Sequence, residues 1–194
     1  MAYTLKEFCA DHHALLTAGQ PLTETLPRIA DKLSILLRNP EFVAESFSDD
    51  TPAGKRTLHH DPATDVYVLA HVYEGPKKGS PHSHGASWAV YGTARAVTEM
   101  TEWRRVNPES EEQAVLEPVA NYSLGPGDTR AYGPGVLHST HHPEKAWVIR
   151  VTGTDLDKLP RYHFRKQDKI LEKVRATCSV SSARKRGSIG QHSR

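Results

Sequence analysis

Near its fiftieth residue the chain changes from a helical to a strand-like pattern of apolar positions. Before that point Leu5, Phe8, Leu15 and Leu16 form one stripe at helical spacing, and Ile29, Leu33, Leu36 and Leu37 form another. Thr4 followed by Glu7 is a capping-box pattern, which starts the first helix. The second helix is expected to begin near Pro27, since proline is tolerated in a first turn, and to end at Asn39-Pro40. Glu41 to Phe47 can add a short further turn. From about Asp65 come short runs rich in Val, Tyr, Trp and Thr, divided by Gly and Pro: DVYVLAHVY, ASWAVYG, ARAVTEMTEW, AVLEPVANYSL, TRAYGPG, VLHSTHHP and KAWVIRVTG. Strands at this spacing predict a mainly β fold, an antiparallel barrel or jelly roll, and not alternating βαβ units. Residues 168–177 are expected to form a last helix. The domain then divides into a helical segment over 1–50 packed on the barrel, a β-barrel over 51–165, and a short helix with a disordered tail over 166–194.

Composition narrows the classes. The 194 residues suit one core, and 25 Lys+Arg against 23 Asp+Glu leave a net charge of +2. Arg184, Lys185, Arg186 and Arg194 crowd the last twelve residues, so the body is mildly acidic and nucleic acid is not the expected partner. No apolar run is long enough to span a bilayer, and the first residues carry no apolar leader pattern, so the cytoplasm is the expected compartment. Cys9 and Cys178 cannot build a disulfide framework or a thiolate cluster.

The chemistry lies in the 12 histidines. His82-Ser83-His84 follows Gly79-Ser80-Pro81, and in an extended chain side chains two apart share a face. Gly133-Pro134-Gly135 makes a tight turn that presents His138 on the next strand. Two imidazoles from one segment and a third from another can hold one ion, and three neutral ligands with open positions suit a catalytic metal better than a structural one. Such a set takes Fe2+, Zn2+, Mn2+ or Ni2+.

In these residues the sequence resembles the cupin superfamily, with His82 and His84 in its first motif and Gly127, Gly135 and His138 in its second. Pro134 stands one place later than the usual proline, and His142 where asparagine is common. Trp88 and Ala89 occupy the places where many cupins carry a glutamate ligand, so the pattern is similar to the three-histidine branch of cysteine and 3-mercaptopropionate dioxygenases. That resemblance implies a cupin-type double-stranded β-helix, metal ligands His82, His84 and His138, iron(II), and addition of O2 to a thiol carboxylate such as cysteine or a mercapto acid. It also implies a homodimer, since cupins often pair through barrel faces. Lys55-Arg56-Thr57-Leu58 resembles the segment that carries a carboxylate-gripping arginine, which implies substrate binding by Arg56. Val148 to Thr152 replaces the Ser-x-His-x-Tyr strand of that branch, which leaves room for a hydroxy-ketone or phenolic acid as substrate. A zinc or manganese hydrolase or isomerase, or a non-catalytic binding module, are the other readings.

Further residues are candidates on their own chemistry. Arg150 interrupts an apolar strand, where a charge must be paired or face a polar cavity, and aimed inward it would bind an anionic substrate. Tyr73 lies beside the motifs as a pocket wall, as do Trp88, Tyr91 and Tyr132. Glu99 is a reserve fourth ligand. His142 is an outer partner of the site, His59-His60 before Asp61-Pro62 read as loop, and His12, His13, His163 and His192 fall in no motif.

Overall fold

The structure is a computed structural model and describes residues 2–165, 167 and 169–174. Three helices precede the barrel: α1 (Leu5–Thr17), α2 (Leu22–Leu37) and α3 (Pro40–Ser46). The capping box is present, with Thr4 and Glu7 each satisfying the other's backbone N–H. α2 begins five residues before the expected start, and Pro27 lies inside it. The ring is tolerated there because Pro27 is on the exposed side, where the carbonyl it fails to bond meets water. α2 ends at Leu37, just before Asn39-Pro40, where the Asn39 N–H donates to the Leu36 carbonyl at 3.0 Å. The Asn39 side chain caps α3, accepting from the Glu41 N–H at 3.0 Å.

The strands are β1 (Gly54–Asp61), β2 (Val66–Tyr73), β3 (Lys77–Lys78), β4 (Ala89–Arg95), β5 (Thr98–Arg105), β6 (Leu116–Leu124), β7 (Thr129–Tyr132), β8 (Leu137–His142), β9 (Ala146–Thr152), β10 (Arg161–Arg165) and β11 (Ile170–Val174). A five-stranded sheet in the order β1-β2-β9-β4-β7 faces a four-stranded sheet in the order β3-β8-β5-β6, and every pairing is antiparallel. Both sheets turn one face inward, which makes a jelly-roll barrel of the double-stranded β-helix kind.

Alternation assigns the faces of the larger sheet. Val66, Val68, Ala70 and Val72 on β2, with Trp147, Ile149 and Val151 on β9, share one core with Phe8, Leu26, Ile29, Leu33 and Leu37 of the helices. The opposite face carries Leu69, His71, Tyr73, Val148 and Arg150 into the barrel, because directly paired residues share a side. α2 lies close on this sheet at Gly92, where a Cβ would stand 2.9 Å from Leu33 Cδ2 and nearer still to Leu37 Cδ1. Inside the barrel Ala89, Tyr91, Tyr132 and Val148 from one sheet meet Met100 and Leu124 from the other.

Two further expectations are corrected. His59 and His60 are not in a loop but in β1, whose ladder with β2 satisfies a polar segment that apolar alternation does not mark. A bulge between Thr57 and His59 leaves Leu58 unpaired, so that His59 and Asp61 stand opposite Val68 and Val66 and face the helices. The helix expected over 168–177 is, in its described part, the strand β11, whose ladder with β10 overrides the helical preference of Leu, Glu and Lys. The basic tail beyond residue 174 lies outside the described residues.

Candidate metal centre

The loop between β3 and β4 carries His82 and His84, and β8 carries His138. His82 extends the β8 ladder: its N–H donates to the His138 carbonyl and the His138 N–H to the His82 carbonyl, both at 2.9 Å. The turn after His84 depends on Gly85, whose φ is +62° and whose missing Cβ makes room for the Pro160 carbonyl. The Gly135 N–H donates to the Gly85 carbonyl at 2.9 Å, joining the two turns that carry the imidazoles.

One ring nitrogen from each of His82, His84 and His138 lies within 4.8 Å of the others. His82 Nδ1 faces the Ser80 carbonyl at 3.0 Å and His138 Nδ1 the Val136 carbonyl at 3.3 Å. A carbonyl only accepts, so each Nδ1 carries the proton and each Nε2 offers a lone pair to the centre. Burial holds His82 down to about 4 and His138 to about 3, with His163 and Arg150 adding to the effect at His82 and His82 and Arg150 at His138. His84 is lowered well below the ordinary imidazole value, again mainly by burial. The rings are therefore neutral at pH 7, the state that binds metal. Donor type, tautomer and convergence fit a divalent ion.

Around the trio stand three tyrosines. The Tyr91 hydroxyl is 3.2 Å from His84 Nε2 and 3.5 Å from His138 Nε2. Tyr132 stacks on His138 with centroids 4.4 Å apart, and its hydroxyl donates to Tyr122 at 2.5 Å. Tyr122 donates in turn to Glu102 Oε1 at 2.8 Å, and Arg130 donates to the same oxygen at 2.7 Å. Glu102 pairs with His138 across the ladder and shares its face, but these two partners hold its carboxylate, and it does not converge with the imidazoles.

The other predicted residues divide. Arg150 faces the barrel, since it pairs with Leu69 and Tyr91, and its guanidinium carbon lies 6.0 Å from the Tyr91 ring centre. Its Nε is buried without a hydrogen-bond partner. Tyr73 also faces inward, stacked on His142 at 3.9 Å and on His71 at 5.8 Å, and burial raises its phenol to about 12. Arg56 is not brought to the site. It pairs with Ala70, on the helix side of β1, and donates to the Ser46 carbonyl. The inward basic residue of that segment is its neighbour Lys55, which pairs with His71 across the ladder and with Asp157 at 2.8 Å. Glu99 faces out of the barrel and binds His141 at 2.8 Å, so it is no fourth ligand.

Sequence reasoning did not single out His71, Glu102 or Tyr122. The signal for His71 was available: it is two residues from Tyr73 on one strand and therefore on the same face. A cleft of about 590 Å³ is lined by Lys55, His71, Tyr73 and Lys77, and none of the three imidazoles lines it. Glu74 lines it beside the two lysines.

The fold and the site together define a jelly-roll barrel with a buried three-imidazole centre. No protein-family model and no curated protein sequence matches the chain. Among solved structures it is similar in shape to KdgF from a Halomonas species, with 17% identity, TM-score 0.40, 57% of this chain and 89% of that one covered. A cupin-2 domain protein of Shewanella frigidimarina gives 15% identity and TM-score 0.40 over 56% and 88%. A cupin superfamily protein of Desulfitobacterium hafniense gives 9% identity and TM-score 0.41 over 58% and 87%. These are likenesses of shape over little more than half of the chain and carry no activity to it. No helix among the described residues is long and apolar enough to cross a membrane.

Proposed function

We propose that the chain is a cupin-type non-haem iron(II) dioxygenase for a small anionic substrate, with a thiol carboxylate, cysteine or a mercapto acid, as first candidate. The observation that carries this reading is the meeting of three neutral imidazoles, without a carboxylate, beside an inward-facing guanidinium whose Nε has no partner. Held by His82, His84 and His138, an Fe2+ ion would supply open positions at which a chelating substrate and O2 meet. Three neutral ligands leave the charge of that ion uncompensated, and Arg150 adds to it, so the barrel interior favours an anion. Arg150 is suited to grip a carboxylate through its planar fork. His71 Nε2 and His142 Nε2 are likewise buried without partners and offer further polar contacts on the same interior face. The Tyr91 hydroxyl, between two ligand nitrogens, can donate to a bound oxygen or sulfur atom. Tyr132 and Met100 are buried in the barrel interior with Tyr73 packed against their cluster.

The Tyr73–His142 stack supports the second reading, a phenolic acid or hydroxy-ketone in place of the thiol, because a flat substrate fits beside parallel rings. The test is O2 uptake by anaerobically iron-loaded protein against a panel of mercapto acids, phenolic acids and hydroxy-ketones. Uptake with one carboxylate, lost in His84→Ala, is expected. Activity with zinc alone, or tight ligand binding with no uptake from any panel member, overturns the dioxygenase reading in favour of a hydrolase or a binding module.

A further inference from the structure

A second group of ligand-type side chains lies outside the barrel, in the seam between α1 and β1. Cys9 and His12 are three residues apart on α1 and so lie on one face. His59 reaches them because the bulge at Leu58 turns it toward the helices. One ligand atom from each residue, the Cys9 sulfur and a nitrogen of either ring, lies within 4.8 Å of the other two. His12 is the independent sign that something belongs there. It has no exposed surface, and neither ring nitrogen has a hydrogen-bond partner. A neutral imidazole carries one donor and one acceptor, and leaving both unmet in an apolar seam is costly. Phe8, edge-on at 5.3 Å, offers no lone pair.

We propose that Cys9, His12 and His59 form a second metal site, which takes a zinc-class divalent ion through one sulfur and two nitrogens and fastens α1 to β1. One thiolate with two imidazoles is a set that zinc accepts in tetrahedral form, with water in the fourth place. On binding, the Cys9 thiol gives its proton to solvent and the ion takes a lone pair on His12 that otherwise has no partner. Cys9 and His59 are both partly exposed, so the ion can arrive from solvent without opening the barrel. Asp61, two residues past His59 on the same face, is already engaged by His13, Thr64 and the Ala63 N–H. It contributes negative charge nearby and no ligand bond. The site shares no residue with the barrel trio and does not depend on the activity proposed above.

The test is titration of the metal-free full-length chain with Co2+, read by thiolate-to-cobalt charge-transfer absorption, which imidazoles alone do not give. The expected result is a band that survives in His138→Ala and in Cys178→Ser and is lost in Cys9→Ser and in His59→Ala, with far-ultraviolet circular dichroism unchanged. His59→Ala, at a partly exposed position, serves if Cys9→Ser fails to fold. Zinc should also raise the thermal midpoint of His138→Ala and leave that of the Cys9→Ser, His138→Ala double variant unmoved. Absence of the band in the wild-type chain, its persistence in Cys9→Ser, or its loss in Cys178→Ser overturns the proposal.

Discussion

Acidifying the metal-free protein from pH 7 to pH 5 is expected to cost it a large part of its stability. His12, His71, His138 and His142 are at most 7% exposed. Burial holds them down to about 4, 2, 3 and 4, and neighbouring cations and imidazoles add to the effect. In the unfolded chain each returns to about 6.5. Below that value the unfolded state takes up a proton that the folded state refuses, so stability is full above it and is lost as the pH falls toward the folded values. One such residue costs about 1.8 kcal/mol between pH 7 and 5, and four acting independently cost about 7 kcal/mol. An ordinary domain has roughly 5–15 kcal/mol in all. The assay is urea unfolding at pH 7, 6 and 5 in the presence of a chelator. His71→Gln, which removes one titrating ring, should lessen the loss between pH 7 and 5 by about 1.8 kcal/mol. Midpoints that do not move with pH across this window would refute the reasoning, because the rings would then titrate alike in both states.

Two further outcomes follow from the fold and the cavity. Gly92→Ala should destabilise by about 1–3 kcal/mol, seen as a lower urea midpoint, because the added methyl must displace Leu33 and Leu37 of α2. Once a substrate is identified, Arg150→Leu should raise its KM by about 10- to 150-fold, the worth of a charge-assisted hydrogen bond, while Arg56→Leu should leave KM unchanged.

Much of the barrel was legible because its strands alternate. Each of β2, β4, β5, β6, β7, β8 and β9 falls within or overlaps an apolar run bounded by Gly or Pro, and inward and outward faces follow from counting by two. The His82-Ser83-His84 and Gly-rich signals likewise pointed to the three rings that converge. β1 was not legible, since Lys55, Arg56, His59 and His60 read as a polar loop and only the ladder to β2 makes them a strand. The same gap explains Arg56. Its chemistry suited a clamp, but one residue of register decides the face, and it is Lys55 that turns inward. Glu99 failed for the same reason, while Glu102, three residues on, shares the face of His138. The seam cluster was hidden because Cys9 and His12 lie 47 or more residues from His59, although their helical spacing was visible. Residue type could be read along the chain, but orientation had to wait for pairing.

The irregularity at Leu58 has a consequence for how this strand can vary. Upstream of it the odd-numbered positions Lys55 and Thr57 look into the barrel, and downstream the odd-numbered positions His59 and Asp61 look toward the helices. One unpaired residue thus reverses the parity of the strand and lets a single eight-residue segment serve the barrel mouth at one end and the helical seam at the other. Straightening the bulge with Leu58 kept would pair Leu58 with Val68 and His59 with Tyr67, sending His60 toward α1 and His59 away from it. The bulge itself, and not residue type, therefore decides which of two adjacent histidines meets α1.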